Sequence, residues 1–117
     1  MKERIVIGSR KSRLALLQAQ EVIDALRVVY PRLSFEITTV KTEGDRDRKT
    51  PLKVLGGRGI FVKEIEEALL RREIDIAVHS LKDMPTDVPG GLRLAAVTRR
   101  LDPRDVLVSA GGAGLSR

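Results

Sequence analysis

A short apolar run, Ile74-Asp75-Ile76-Ala77-Val78, ends abruptly in His79-Ser80-Leu81-Lys82-Asp83-Met84-Pro85. Such a run predicts a buried strand of an α/β sheet, and a hydroxyl, an ammonium and a carboxylate follow it within four positions. In open α/β sheets, ligands collect in the crevice beyond the carboxyl ends of the strands. Ser80, Lys82 and Asp83 are therefore the first candidates for binding and chemistry. The plainer reading, that Lys82 and Asp83 are solvated turn charges, stands beside this one at the level of the stretch alone.

Composition sets the scale of what this strand can belong to. A chain of 117 residues with 42% hydrophobic and 32% charged residues suits one soluble globular domain. The net charge of +6 favours anionic partners. Nucleic acid fits poorly, because aromatics make up 3% of the chain and the basic residues are interspersed with acids. Acidic small molecules fit better. With no Cys and a single His79, thiolate metal sites, disulfides and Cys or Ser/His nucleophile systems lack their parts, so no metal centre is expected. Met1-Lys2-Glu3-Arg4 leads directly into a strand-like run without a signal-peptide pattern, and no stretch reaches membrane-spanning length. The expected location is cytoplasmic, with no membrane partner.

Ile5-Val6-Ile7-Gly8 predicts the first strand, and Ser9-Arg10-Lys11-Ser12 precedes a helix. Ala15, Ala19, Val22, Leu26 and Val29 recur at helical spacing, and Pro31 stops the pattern. Two cations at that helix start oppose the macrodipole, whose positive end prefers anions. Either Arg10 and Ser12 hold a carboxylate or phosphate of a ligand, or Ser12 is an ordinary N-cap beside solvated Arg10 and Lys11. Leu33 to Val40 alternates and predicts a second strand. A polar passage without periodicity then runs from Lys41 through Leu55 into Gly56-Gly57-Arg58-Gly59, which is either a functional loop approaching an anion or a glycine hinge.

Phe61, Ile65, Ala68 and Leu69 form the apolar face of a second helix, with Glu67 and Arg71 spaced for one helical ion pair. Leu92, Leu94 and Ala96 suggest a further strand. Strand, helix, strand, helix, strand, strand gives an α/β fold: a mainly parallel sheet with helices on its faces, a three-layer sandwich. Thr98 to Asp105, charged and with a central proline, predicts a hinge, and Val106-Leu107-Val108-Ser109 a strand of something further.

Several segments together resemble the hydroxymethylbilane synthase, or porphobilinogen deaminase, family. They are Gly8-Ser9-Arg10-Lys11-Ser12 with Leu14-Ala15-Leu16 and Gln18-Ala19, then Thr42-Glu43-Gly44-Asp45, Gly56 to Glu66, Asp75 to Pro85, and Asp102-Pro103-Arg104-Asp105. The resemblance implies a half domain similar to that of periplasmic binding proteins. It divides the chain into a first domain over residues 1–98, a hinge over 99–105, and over 106–117 the opening strand of a second domain with a mobile tail. It also implies a transferase that polymerises four porphobilinogen units, releasing ammonia, on a dipyrromethane cofactor attached to a cysteine. This chain has no cysteine, so the resemblance makes it a part expected to be inactive without the missing second and third domains.

By position, Asp83 corresponds to the catalytic carboxylate that accepts pyrrole N–H hydrogen bonds and stabilises positive charge as ammonia leaves. Arg10, Ser12, Ser80 and Lys82 correspond to residues that hold cofactor carboxylates. The family places a lysine where Val54 stands here, so Lys53 is the nearest candidate for that contact, and Arg58 stands where a lysine is common. His79 is expected to be structural. A non-catalytic anion-binding module of the same half-domain fold is the alternative.

Overall fold

In the computed structural model, which describes residues 2–42, 45, 62–85, 87–100 and 104, the middle strand of the sheet is β1 (Arg4–Ser9). It pairs in parallel with β2 (Ser34–Thr39) on one side, Ile7 opposite Ile37, and with β3 (Ile76–Ala77) on the other, Ile7 opposite Ile76. Helix α1 (Arg13–Val29) connects β1 to β2, and α2 (Lys63–Leu70) precedes β3. Parallel strands place all their carboxyl ends at one edge of the sheet, where Arg10, Val40 and Val78 leave it.

β1 is buried on both faces, which is why it reads as a continuous apolar run rather than an alternation. Its successive residues feed opposite cores. Val6 packs with Ile65, Ala68 and Ile74 on the α2 side, whereas Ile7 packs with Ala19 and Ile23 on the α1 side. That is the three-layer arrangement, helix, sheet and helix, expected from the order of elements. Gly8 is required by packing: a Cβ there would stand 2.2 Å from Ile74 Cδ1, and Ile74 is itself buried.

Ser12 caps α1, its Oγ accepting from Ala15 N at 3.3 Å. The buried stripe of α1 differs from the expected one, because Ala19 and Ile23 carry the contact while Val29 is 66% exposed. Length explains the difference. Six residues of β1 span about 20 Å, whereas seventeen of α1 span about 25 Å, so the last helical turn overhangs the sheet. In α2 the buried residues are Ile65 and Ala68, as the periodicity predicts, and Arg71 pairs with Glu67 at 3.8 Å.

Two strand expectations change. The run from Ile74, expected as a buried strand, lies at an edge of the described sheet, and only Ile76–Ala77 pairs as strand, although Asp75 N and Val78 N still donate to Val6 O and Gly8 O. Leu92, Leu94 and Ala96 form no strand, and Leu94 is exposed. Alternation alone makes no ladder without an edge to pair against, and the two paired residues of β3 offer little edge. Phe61, the glycine loop at Gly56, Gly57 and Gly59, and the strand expected at Val106 to Ser109 lie outside the described residues.

Candidate functional site

Two chain segments leave the carboxyl edge of the sheet side by side and enclose a cleft. One is the end of β1, where Ser9 is fully buried and its Oγ donates to Arg10 O at 2.9 Å. The other follows β3, where a short 3-10 turn over Leu81–Asp83 is closed by Asp83 N donating to Ser80 O at 3.0 Å. The cleft between them is lined by Arg10, Ser12, Leu14, Ala15, Gln18, Val78, His79, Ser80, Lys82 and Asp83. A cation from each segment, hydroxyls from each, and one carboxylate thus share one wall-to-wall space, at the place where α/β sheets bind ligands.

Arg10 organises the charges. Its Nη2 and Nε donate to Asp45 Oδ1 at 2.7 and 3.2 Å, and its Nη1 lies 3.5 Å from Asp83 Oδ2. The three side chains are 19%, 16% and 14% exposed, so this cluster is shielded far more than a surface pair. Thr42, fully buried, completes it: Thr42 Oγ1 donates to Asp45 Oδ2 at 2.8 Å, and Asp45 N donates back to Thr42 Oγ1 at 3.3 Å. Burial pushes the Asp45 carboxyl upward, but hydrogen bonds from Arg10 and Thr42 and the Arg10 charge outweigh it and hold the group below its ordinary range. Burial also lowers His79, with Asp83 opposing and Arg10 reinforcing that shift, so His79 is held as the neutral imidazole.

Of the residues singled out in the sequence, Arg10, Ser12, Ser80, Lys82 and Asp83 line this one cleft. Lys53 and Arg58 lie outside the described residues. Arg10 is not a solvated charge, since two carboxylates face it. Ser12 does act as the helix cap through its lone pair, which leaves its O–H available as a donor at the cleft. Sequence reasoning missed Asp45 as a partner of Arg10. The signal was present in Thr42-x-x-Asp45, the spacing of a capping box, and the structure shows its reciprocal bonds, including Thr42 N to Asp45 Oδ2 at 3.3 Å. Gln18 was missed as a lining residue; it stands one helical turn after Leu14, another lining residue.

Chemically, the cleft joins cationic donors that suit carboxylates to a carboxylate that suits an N–H donor or a developing cation. A ligand that satisfies both must carry acidic groups and a polar N–H or positive centre in one small frame.

Comparison with known proteins points the same way. The sequence profile of the family described as "Porphobilinogen deaminase, dipyromethane cofactor binding domain" matches residues 5–117. The porphobilinogen deaminase of Syntrophus aciditrophicus (strain SB) is 52% identical over 103 residues, covering 88% of this chain and 34% of the relative. That of Desulforudis audaxviator (strain MP104C) is 52% identical over 112 residues, 96% of this chain and 36% of the relative. That of Geobacter sulfurreducens is 54% identical over 108 residues, 92% of this chain and 34% of the relative. The chain thus spans about a third of the length of the curated relatives it matches.

Proposed function

Because the chain belongs to the porphobilinogen deaminase family, we propose that its cleft is the first-domain part of a site that holds a dipyrromethane cofactor and polymerises four porphobilinogen units with release of ammonia. The observation that carries this reading is the meeting of Arg10, Lys82, Ser12, Ser80 and Asp83 in one cleft at the strand ends. The donor set fits such a group: cations and hydroxyls match pyrrole acetate and propionate side chains, and Asp83 matches pyrrole N–H. When bound, the cofactor would supply the free terminal pyrrole carbon to which the first unit is joined, later units being added to the end of the growing chain.

The chain's own residues do the holding and the charge management. Arg10 and Lys82 bind carboxylates, each charge-assisted hydrogen bond contributing roughly 1.5 to 3 kcal/mol. Ser12 and Ser80 add hydroxyl donors, with Ser12 fixed in place by its helix-capping bond. Asp83, 14% exposed, accepts hydrogen bonds from ring N–H groups and faces the positive charge that develops as ammonia leaves porphobilinogen. At 3.5 Å, its contact with Arg10 is longer than a tight hydrogen bond, so its oxygens are not fully committed to the protein. His79, half-buried and held neutral, is assigned a structural role at the strand end.

We assign residues 1–98 to the first domain, 99–105 to a hinge and 106–117 to the start of a second domain, with Lys53 and Arg58 as further cofactor contacts. The 117 residues contain no cysteine, so the cofactor's thioether anchor and the remaining catalytic steps are assigned to the rest of a three-domain enzyme, and the isolated chain is expected to bind without polymerising. An amide NMR titration of the chain with porphobilinogen, with sulfate as control, tests this. Shifts at Arg10, Ser12, Ser80, Lys82 and Asp83 that are specific for the pyrrole, and lost in Asp83→Ala, are the expected result. Equal response to sulfate would leave a non-catalytic anion-binding module and sink the proposal.

A further inference from the structure

The Arg10 guanidinium is gripped on one edge from outside the cleft. Asp45 takes the Nε and Nη2 side, while Nη1 lies 3.5 Å from Oδ2 of Asp83, which lines the cleft. Asp45 is not among the residues that line the cleft; it stands behind Arg10. It is in turn fixed from two directions by Thr42, whose N–H and Oγ1–H both reach Asp45 Oδ2. A capping-box carboxylate ordinarily serves only its own turn. This one serves its turn through Oδ2 and the guanidinium chiefly through Oδ1, with a longer Nε contact to Oδ2 at 3.4 Å.

We propose that Asp45 is a positioning residue for Arg10: by clasping the Nε–Nη2 edge it aims the Nη1 end at the ligand carboxylate and keeps Arg10 from closing fully onto Asp83. The inference rests on the reading of the cleft as a pyrrole-carboxylate site, and adds to it the residue that sets the geometry. Arginine has a long side chain with many rotamers, and an untethered one must be ordered each time a ligand binds. A rigid carboxylate behind it does that ordering in advance. The second effect follows from charge. Two carboxylates share one cation here, so each limits how far the guanidinium moves toward the other, and Asp83 retains acceptor capacity for ring N–H groups. The depressed titration of Asp45 agrees with this arrangement, because the tether is then fully ionised at neutral pH.

A double-mutant cycle on the full chain separates positioning from simple structural support, with porphobilinogen as the probe. Asp45→Ala is expected to weaken binding about tenfold when Arg10 is present and less than about twofold in an Arg10→Ala background, because residues that act through one another are not additive. In 15N-labelled protein, the Arg10 Nε–Hε signal should be protected from solvent exchange in the parent chain and lose that protection in Asp45→Ala. Asp45→Asn, which keeps an acceptor oxygen and the capping geometry, should restore part of both, and serves if the alanine variant does not fold. Equal losses in both backgrounds, or an unchanged Nε–Hε exchange rate, would overturn the proposal. If the parent chain shows no preference for porphobilinogen over sulfate, the site reading fails instead, and the Nε–Hε comparison still decides whether Asp45 holds Arg10.

Discussion

Cation and carboxylate clusters stand at both ends of β1, and they are built differently. At the amino end, Lys2 pairs with Asp75 and Arg4 pairs with Glu36 at 3.1 Å, with Arg4 67% and Glu36 49% exposed. At the carboxyl end, Arg10 is shared by Asp45 and Asp83, all three being less than one-fifth exposed. In the first cluster Asp75 spends its second oxygen on Val6 N at 2.8 Å, a backbone group of the strand itself. In the second, both carboxylates face one shared cation, Asp45 on the Nε and Nη2 edge of Arg10 and Asp83 at its Nη1. The lesson is that the same chemical pairs fasten a strand at one end and aim charge at the other, and that shielding from water decides which pairs carry energy.

Arg10→Ala tests this contrast most severely. It leaves Asp45 and Asp83 partly buried without the cation between them, so the expected loss is about 1 to 3 kcal/mol in urea unfolding. Porphobilinogen binding should weaken by roughly ten- to a hundredfold, the equivalent of one or two charge-assisted hydrogen bonds. An Arg10→Ala chain as stable as an Arg4→Ala chain would show that the two ends do not differ in the way described.

Much of this architecture was legible beforehand because it follows from periodicity. Val6 and Ile7 on β1, Ala19 on α1, and Ile65 and Ala68 on α2 occupy core positions that the strand run and the 3.6-residue repeats imply. Ser80, Lys82 and Asp83 were visible as polar groups ending an apolar strand. What escaped depends on partners that a local pattern does not specify. The exposure of Val29 follows from the length mismatch between α1 and the sheet, and the shortness of β3 from how much of it meets β1. Asp45 escaped for another reason: it lies in a polar passage with no hydrophobic period, where only the capping-box spacing marks a fixed geometry.

Acid titration should resolve the carboxyl-end cluster in two steps. His79 is depressed by burial, so as pH falls below its ordinary value of about 6.5 the unfolded chain takes up the proton first and stability declines. The decline stops once the native imidazole is also protonated. Asp45, held below its ordinary range, contributes stability above the unfolded carboxyl value, and that contribution is lost as pH falls through the lower native one. Urea midpoints measured against pH should show both declines, with His79→Gln flattening the first and Asp45→Asn the second. A first decline that persists in His79→Gln would assign it to another group.

The smallest effects belong to the amino end, and they divide that cluster internally. Arg4→Ala removes only a solvated pair and should change stability by no more than about 0.5 kcal/mol. Asp75→Ala removes a Lys2 partner and also strips Val6 N of its acceptor, so about 1 kcal/mol is expected despite equally accessible surroundings for the lysine. The Asp75 carboxyl is depressed by the Lys2 hydrogen bond first and the Val6 N–H second. Added salt distinguishes the two contributions, because screening weakens the exposed lysine contact and leaves the backbone bond intact. If Asp75→Ala costs nothing at high salt, the amino end is an ion pair and no more; if most of its cost survives, Asp75 acts there as a cap for the strand, and the difference between the two ends of β1 lies in what each carboxylate is bonded to rather than in charge alone.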